Sequence, residues 1–205
     1  MNRRELLKKA GVVLAMAVPT LGGSSGHAAD PPPITVLVAY HSVTGNTEKM
    51  AQAVAEGAKA ISGTTVVLKR IADVAADDLS SSDALIVGSP VYFANMSGEV
   101  KTFFDNWSLK FGLFQDRKMR NKVGAAFATG MGVSAGKEFT IQSIFAAMFI
   151  NQMIVVSGGG GFGASATTGP DSPGIDEKEL ASARDLGKRV AEVAAVVKRG
   201  MQVNP

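Results

Sequence analysis

The chain has 205 residues, 46% hydrophobic and 19% charged, which indicates one globular domain with a substantial core. It contains no cysteine and only two histidines, which excludes disulfides, cysteine-ligated metal centres and multi-histidine metal sites. The formal net charge of +3 comes from residues 1–29, because residues 30–205 carry 17 basic and 17 acidic side chains. A nucleic-acid-binding domain is therefore not expected, since it needs a basic surface.

The N-terminal segment has the organisation of a secretory signal. Arg3 and Arg4 precede a short apolar stretch over residues 10–18, and small residues follow. The paired arginines before Leu-Leu-Lys resemble a twin-arginine signal, which exports folded proteins. The apolar stretch is about half the ~20 residues that span a bilayer, so no membrane span is expected after cleavage. We expect export to the periplasm with cleavage near Ala28 or Ala29, and a cytoplasmic location if the signal is not used.

The remaining residues, 30–205, are predicted to form one domain in which strands and helices alternate. The nearly continuous apolar run Ile34–Tyr40 is typical of a strand buried on both faces. Further strands are predicted at residues 64–69, 84–88, 123–128 and 153–156, helices at 46–61, 97–107, 139–149 and 176–198, and a glycine-rich loop at 157–174. This alternation predicts a doubly wound α/β domain, with a five-stranded parallel sheet between two layers of helices.

In such a sheet, ligands bind outside the carboxyl ends of the strands, so the segments that follow the strands are the candidate sites. The first segment joins the first strand to the first helix and reads Ser42, Val43, Thr44, Gly45, Asn46 and Thr47. A helix N-terminus offers free N–H groups and a partial positive charge, which suit a phosphate. The segment lacks the lysine of a triphosphate loop. It therefore predicts a monophosphate held by neutral donors.

This segment resembles the FMN phosphate loop of the flavodoxin-like superfamily. Three later stretches resemble one branch of it, the NAD(P)H:quinone oxidoreductase family of the tryptophan-repressor-binding-protein type; they lie at residues 88–105, 122–143 and 161–184. The resemblance covers roughly residues 34–199 in order. It implies a flavodoxin-like three-layer α/β/α fold, bound FMN, NAD(P)H as a co-substrate, a quinone-like acceptor and a homo-oligomer, either a dimer or a tetramer.

The resemblance also assigns roles to residues of this chain. The segment from Ser42 to Thr47 would hold the phosphate. One side of the isoalloxazine ring would be lined by Pro90, Val91, Tyr92, Phe93 and Asn95. The ring's other polar edge would meet backbone N–H groups of Thr129, Gly130, Met131, Gly132 and Val133. Glycines let the backbone approach a flat ligand, and aromatic rings supply a stacking face.

The chain departs from the usual pattern of this family at three places. The family usually has an arginine where Val91 and Tyr92 stand, and a pair of histidines at Ile150 and Asn151. Phe111 replaces its usual tryptophan. These positions bear on nicotinamide or quinone binding and on subunit contacts, so FMN binding is better supported than NAD(P)H use or a particular oligomer.

Three functions remain open: an FMN-dependent NAD(P)H:quinone oxidoreductase, an exported flavodoxin-like electron carrier without its own NAD(P)H activity, and a flavodoxin-fold protein without flavin. The third candidate segment has no aromatic residue from Ala128 to Lys137. This would leave one flavin face open to a hydride donor, which favours the enzyme. Because NAD(P)H is scarce outside the cytoplasm, export leaves a quinol or a partner protein as alternative donors.

Two other features are weighed against these functions. Residues 132–136 match the Gly-x-Ser-x-Gly pattern of hydrolases, but no histidine follows Ser134, so a serine hydrolase is not expected. His41 stands beside the phosphate segment and is interpreted as a polar loop side chain rather than a phosphate ligand. No residue is assigned as a catalytic acid, base or nucleophile, and no metal site is predicted.

Overall fold

The computed structural model describes residues 32–158, 161–169 and 174–203. The predicted signal at residues 1–29 lies outside the described residues. The strands are β1 (Ile34–Tyr40), β2 (Thr64–Arg70), β3 (Ala84–Tyr92), β4 (Asn95–Met96), β5 (Val123–Gly130), β6 (Ile154–Val155) and β7 (Ala164–Thr167). The helices are α1 (Asn46–Lys59), α2 (Ala76–Ser81), α3 (Gly98–Leu109), α4 (Lys137–Ile150) and α5 (Glu177–Val203).

The sheet has the strand order β2-β1-β3-β5, and β6 and β7 share the fifth position beside β5. All pairings along this path are parallel. This is the flavodoxin-like order, in which the direction of winding switches between β1 and β3. The predicted α/β fold and five-position sheet are confirmed.

The fifth position differs in detail from its prediction. One strand was expected at residues 153–156, followed by a loop to residue 174, but β7 lies within that loop and pairs with residues 127–130 of β5. β7 reads Ala-Ser-Ala-Thr and has no apolar run that would indicate a strand. Its approach to β5 needs a small residue, because a Cβ on Gly163 would lie 2.1 Å from the Ala126 carbonyl oxygen. Its strand character depends on pairing with β5, which local sequence does not encode.

Two short elements were also not predicted. α2 has six residues and buries only Leu79, so its hydrophobic periodicity is too short to detect. β4 forms a hairpin with the end of β3, and the turn between them places Phe93 and Ala94 at φ values of +49° and +62°. Neither residue type predicts a left-handed backbone.

Both faces of the sheet are covered by helices. Val36 and Val38 pack into the core beneath α1 and α5, while Leu37 and Ala39 pack into the core beneath α3 and α4. This explains why β1 is apolar almost without interruption. α1 and α5 approach each other closely at Gly57. This position needs a glycine, because a Cβ there would lie 1.9 Å from the Arg184 carbonyl oxygen.

The amino ends of the strands are joined by a polar network. Asp83, which precedes β3, accepts hydrogen bonds from the backbone N–H of Thr35 at 2.8 Å and from Lys198 Nζ at 2.9 Å. Lys122, which precedes β5, donates to the carbonyl oxygens of Ser80 and Ser82. Burial lowers the pKa of Lys122 below its usual value.

Candidate functional site

The three candidate segments meet at the carboxyl ends of β1, β3 and β5, which are neighbouring strands. The hydroxyls of Thr47 and Thr129 lie 2.8 Å apart and connect the first segment to the third. The second and third segments touch where Gly136 packs on Ala94, because a Cβ on Gly136 would lie 2.8 Å from the Ala94 Cα. The fold therefore assembles all three predicted segments into one site at the switch in strand order.

The first segment presents a run of free backbone donors. Gly45 caps α1 with a left-handed backbone, at φ +86°, and no side chain caps the helix. The first hydrogen bond of the helix runs from the Lys49 N–H to the Gly45 carbonyl. In the described part of the chain, the N–H groups from Ser42 to Glu48 have no hydrogen-bond partner. A phosphate at this helix N-terminus would receive these donors and the favourable end of the helix dipole.

The Ser42 side chain adds a hydroxyl donor to this cradle. Ser42 is 5% exposed, and its Oγ is a buried atom without a hydrogen-bond partner in the described structure. Leaving such a group unpaired costs free energy. A phosphate oxygen would satisfy it.

The Arg70 side chain holds the same segment by hydrogen bonds to Ser42 and Glu48. One guanidinium nitrogen donates to the Ser42 carbonyl at 2.9 Å and the other to Glu48 Oε2 at 2.5 Å. Glu48 also accepts from the Tyr40 hydroxyl at 3.0 Å. Burial, followed by the hydrogen bond to Glu48, raises the pKa of Tyr40 above its usual value. These bonds fix the loop through its carbonyl and side-chain groups and leave its N–H groups available.

The second segment begins inside a strand rather than in a loop. Pro90, Val91 and Tyr92 are the last residues of β3, Phe93 lies in the turn, and Asn95 begins β4. The Asn95 side chain accepts from the Met96 N–H at 2.7 Å and so stabilises the hairpin. The Phe93 side chain is fully exposed and Tyr92 is 42% exposed. Both rings are available to stack on a ligand.

The third segment continues from the last residues of β5, Thr129 and Gly130. Met131 and Val133 are largely exposed, and Gly132 lies between them. Within residues 32–158, 161–169 and 174–203, the N–H groups of residues 131–134 have no hydrogen-bond partner. They can therefore donate to the polar edge of a ring. The placement of all three segments agrees with the roles implied by the resemblance, which remain predictions.

Lys137 is a residue of this site that the sequence reasoning missed. Its side chain is 4% exposed, and its Nζ donates to the carbonyl oxygens of Gly132 at 2.9 Å and Val133 at 3.3 Å. It also donates to Thr167 Oγ1 at 2.8 Å. The available signal was a lysine in the first turn of a helix, where the helix dipole disfavours a positive charge.

His41 is held by α3 rather than directed at the phosphate segment. Its Nδ1 lies 2.8 Å from Ser97 Oγ and 3.2 Å from Glu99 Oε2. The ring meets Tyr92 edge-on at 6.3 Å between centroids. It lines a cavity of about 680 Å³ between the end of β2 and α3. Its interpretation as a polar loop residue agrees with these contacts.

Other classes of site find no support in the described residues. Ser134 is exposed, and the described part of the chain contains one histidine, His41, which is bonded elsewhere. Those residues contain no group of three or more side chains able to hold a metal ion. Among the helices that the structure describes, none has the length and apolarity to cross a membrane.

The donors at this edge fit FMN. The first segment offers unpartnered N–H groups and the unsatisfied Ser42 hydroxyl to a phosphate, and the second and third offer rings and N–H groups to a flat polar ring. The fold and the arrangement of the three segments define a flavodoxin-like protein. The model of the NADPH-dependent FMN reductase family matches residues 32–167, and the chain belongs to this family.

Relatives and solved structures agree with this assignment. The chain is 34% identical to an NAD(P)H dehydrogenase (quinone) of Archaeoglobus fulgidus, over 78% of this chain and 96% of that protein. It is 32% identical to a protein of the same description from Chromohalobacter salexigens, with the same coverage. The crystal structure of a WrbA-like flavodoxin from Agrobacterium tumefaciens superposes with a TM-score of 0.67 at 30% identity, covering 78% of this chain and 97% of that chain.

Proposed function

We propose that this protein is an FMN-dependent oxidoreductase that transfers electrons from NAD(P)H to a quinone. The alignment covers 96% of each relative described as an NAD(P)H dehydrogenase (quinone), which supports the same reaction here. The observation that carries the proposal is the phosphate loop. Among the residues that the structure describes, it combines N–H groups from Ser42 to Glu48 that have no partner with a buried serine hydroxyl that has none.

Each segment has a task in this reaction. Ser42 to Thr47 bind the phosphate through backbone N–H groups and hydroxyls, which fixes the cofactor's position. Tyr92 and Phe93 provide apolar contact to one side of the ring. The N–H groups of Met131 to Val133 donate to its polar edge. Bound FMN supplies the hydride-accepting ring, while the protein contributes position and electrostatics.

The substrate side of the site is open. The third segment contains no aromatic side chain, and Met131 and Val133 are 69% and 80% exposed. A nicotinamide needs direct access to the ring for hydride transfer, and a quinone can use the same face after NAD(P)⁺ leaves. An electron carrier without NAD(P)H activity has no need for this opening.

The proposal is tested by mixing the FMN-loaded protein anaerobically with NADH or NADPH while following flavin absorbance. Rapid bleaching, followed by recovery on addition of a quinone, is the expected result. A flavin that binds tightly and stays oxidised with both nucleotides would refute the NAD(P)H step and leave the exported-carrier function.

We also propose that the protein is a homo-oligomer that associates through the outer faces of α3 and α4. Exposed apolar side chains lie on these helices at Leu109, Phe139, Phe149 and Ile150, and Phe114 in the turn after α3 adds to them. A groove of about 720 Å³ lies between the two helices. Apolar surface of this kind is characteristic of interaction sites.

The oligomer proposal is tested by sedimentation velocity on the wild type and two matched variants. Ile150→Lys places a charge on the proposed interface and should shift the protein to a smaller species. Val196→Lys alters a similarly exposed apolar residue on α5 and should leave the distribution unchanged. A monomeric wild type would contradict the proposal.

We further propose export through the twin-arginine route, supported by Arg3, Arg4 and the short apolar stretch that follows. Replacing both arginines by lysine should retain the protein in the cytoplasm. Lys8→Arg with Lys9→Arg is the matched control and should be exported. N-terminal sequencing of the exported form should begin at Ala29 or Asp30. Normal export of the Arg3→Lys, Arg4→Lys variant would exclude this route.

A further inference from the structure

Lys137 is almost fully buried although it carries a positive charge. It is the first residue of α4, directly after Gly136, and its side chain is 4% exposed. Burying a charge is costly. The N-terminal end of a helix is itself positive, which increases this cost. The position therefore disfavours a charged side chain, and a lysine here needs an explanation.

Among the residues that the structure describes, the Lys137 ammonium group contacts neutral acceptors alone. The three hydrogen bonds to Gly132 O, Val133 O and Thr167 Oγ1 use all three donors of the ammonium group. In the described ranges, no carboxylate oxygen lies within 4 Å of Lys137 Nζ. Glu179 joins this network through the Thr167 N–H, from which it accepts at 2.8 Å. The hydrogen-bonding capacity is satisfied, but within the described part of the chain no carboxylate contacts the charge directly.

The lysine also sets the direction of the loop's peptide groups. In a trans peptide, the carbonyl of one residue and the N–H of the next point in opposite directions. Because the carbonyls of Gly132 and Val133 point at Lys137, the N–H groups of Val133 and Ser134 point away from it. Neither N–H has a partner within the described part of the chain.

We propose that Lys137 is a positioning residue that aims the N–H groups of the third segment at the FMN ring and stabilises the ring's negative charge after reduction. This inference rests on the proposed function. Hydride transfer from NAD(P)H adds two electrons and one proton to FMN and releases NAD(P)⁺, so the ring gains one negative charge. A buried cation behind the loop favours that state, since charges interact strongly where water is excluded.

The proposal predicts two separable effects. The charge changes the affinity for reduced FMN relative to oxidised FMN, and the hydrogen bonds change the affinity for both. Lys137→Gln removes the charge and keeps an amide that can donate hydrogen bonds. Lys137→Met removes both the charge and the donors, and its side chain is of similar length to that of lysine. Lys188→Gln, on an exposed part of α5, is the control for the same change in net charge.

The experiment measures the two-electron potential of each FMN-loaded variant, by stepwise reduction with dithionite beside a reference dye. Oxidised FMN affinity is measured separately by titration, and thermal unfolding establishes that each variant is folded. Lys137→Gln should weaken binding of reduced FMN about tenfold relative to oxidised FMN, which lowers the potential by about 30 mV. Lys137→Met should show the same shift and also bind oxidised FMN more weakly. Lys188→Gln should match the wild type.

The outcomes distinguish this inference from the proposed function. If the wild type binds FMN and both Lys137 variants keep its potential, the role of the charge is refuted. If Lys137→Met binds oxidised FMN as well as Lys137→Gln does, the role in aiming the N–H groups is refuted. If the wild type does not bind FMN, the proposed function itself fails and this inference fails with it.

Discussion

Two buried serines, one near each end of the strands, differ in their hydrogen bonding. At the amino ends of the strands, Ser82 is 1% exposed and its Oγ donates to the Leu79 carbonyl at 3.0 Å. At the carboxyl ends, Ser42 is also buried, but its Oγ has no partner in the described structure. The Ser82 hydroxyl is satisfied within the fold, whereas the Ser42 hydroxyl and the N–H groups that follow it are available to a ligand.

An unpartnered hydroxyl alone does not distinguish the two ends. Thr64 Oγ1, at the start of β2, is also buried without a partner among the described residues. Ser42 differs because the N–H groups that follow it, as far as Glu48, are free as well and lie at a helix N-terminus. We propose that the combination of these donors binds an anion.

Replacing Thr44 and Thr47 together by alanine should weaken FMN binding about 100-fold. Two hydrogen bonds to a charged phosphate are lost, each contributing about 1.5 kcal/mol. Loss of the Thr47–Thr129 bond adds a smaller structural effect. Fluorescence titration with FMN measures the change, and an unchanged affinity would contradict the assignment of the phosphate loop.

Asp83→Ala should have the opposite pattern at the amino ends. It removes the acceptor for the Thr35 N–H and for Lys198, so we expect the free energy of unfolding to fall by about 2 kcal/mol. FMN affinity should not change, because this cluster lies at the other end of the strands. Urea unfolding and FMN titration on the same sample test both expectations. A large loss of affinity with unchanged stability would reverse our interpretation of the two ends.

Ser42→Ala and Ser82→Ala form a matched pair. Ser42→Ala should weaken FMN binding about tenfold and leave the ligand-free protein as stable as the wild type, or more stable, because an unsatisfied hydroxyl is removed. Ser82→Ala should lower stability by about 1 kcal/mol and leave FMN affinity unchanged. Thermal unfolding measures the stability of each variant, and fluorescence titration measures its FMN affinity. Equal effects of the two substitutions on FMN affinity would show that the absence of a hydrogen-bond partner does not determine which serine contributes to binding.

The smallest expected effect concerns pH and Lys122. Burial holds its pKa in the folded protein below 10.5, its value when unperturbed. Between these two pKa values the unfolded chain binds the additional proton, so stability rises with pH as the cost of the buried charge is relieved. Relative to Lys122→Met, the free energy of unfolding of the wild type should therefore rise with pH across this window. Urea unfolding at several alkaline pH values measures the difference in unfolding free energy between the wild type and Lys122→Met. A difference that falls as pH rises would contradict this prediction.

The sequence predicted the regular layers well, because both faces of β1 are apolar from Ile34 to Tyr40 and the structure has the same bounds. The three candidate segments were predicted from glycines and hydroxyls after buried strands, which are a local pattern, and the fold brings them together. β7 was missed because Ala164–Thr167 has no apolar run and becomes a strand only beside β5.

The role of Lys137 lay beyond sequence reasoning for a similar reason. Its partners at positions 132, 133 and 167 come from two separate segments of the chain. The free N–H groups of the phosphate loop depend on the left-handed backbone of Gly45, which the residue type permits without specifying. Contacts distant in sequence decide the surroundings of Lys137, and a local backbone conformation decides the free N–H groups of the loop.

The central claim is that the carboxyl ends of β1, β3 and β5 form an FMN site. The most direct test is a fluorescence titration of FMN with the ligand-free wild-type protein, run beside Ser42→Ala. We predict saturable quenching at one FMN per chain, with about tenfold weaker binding to the variant. Absence of saturable binding to the wild type, with the protein folded, would contradict the claim.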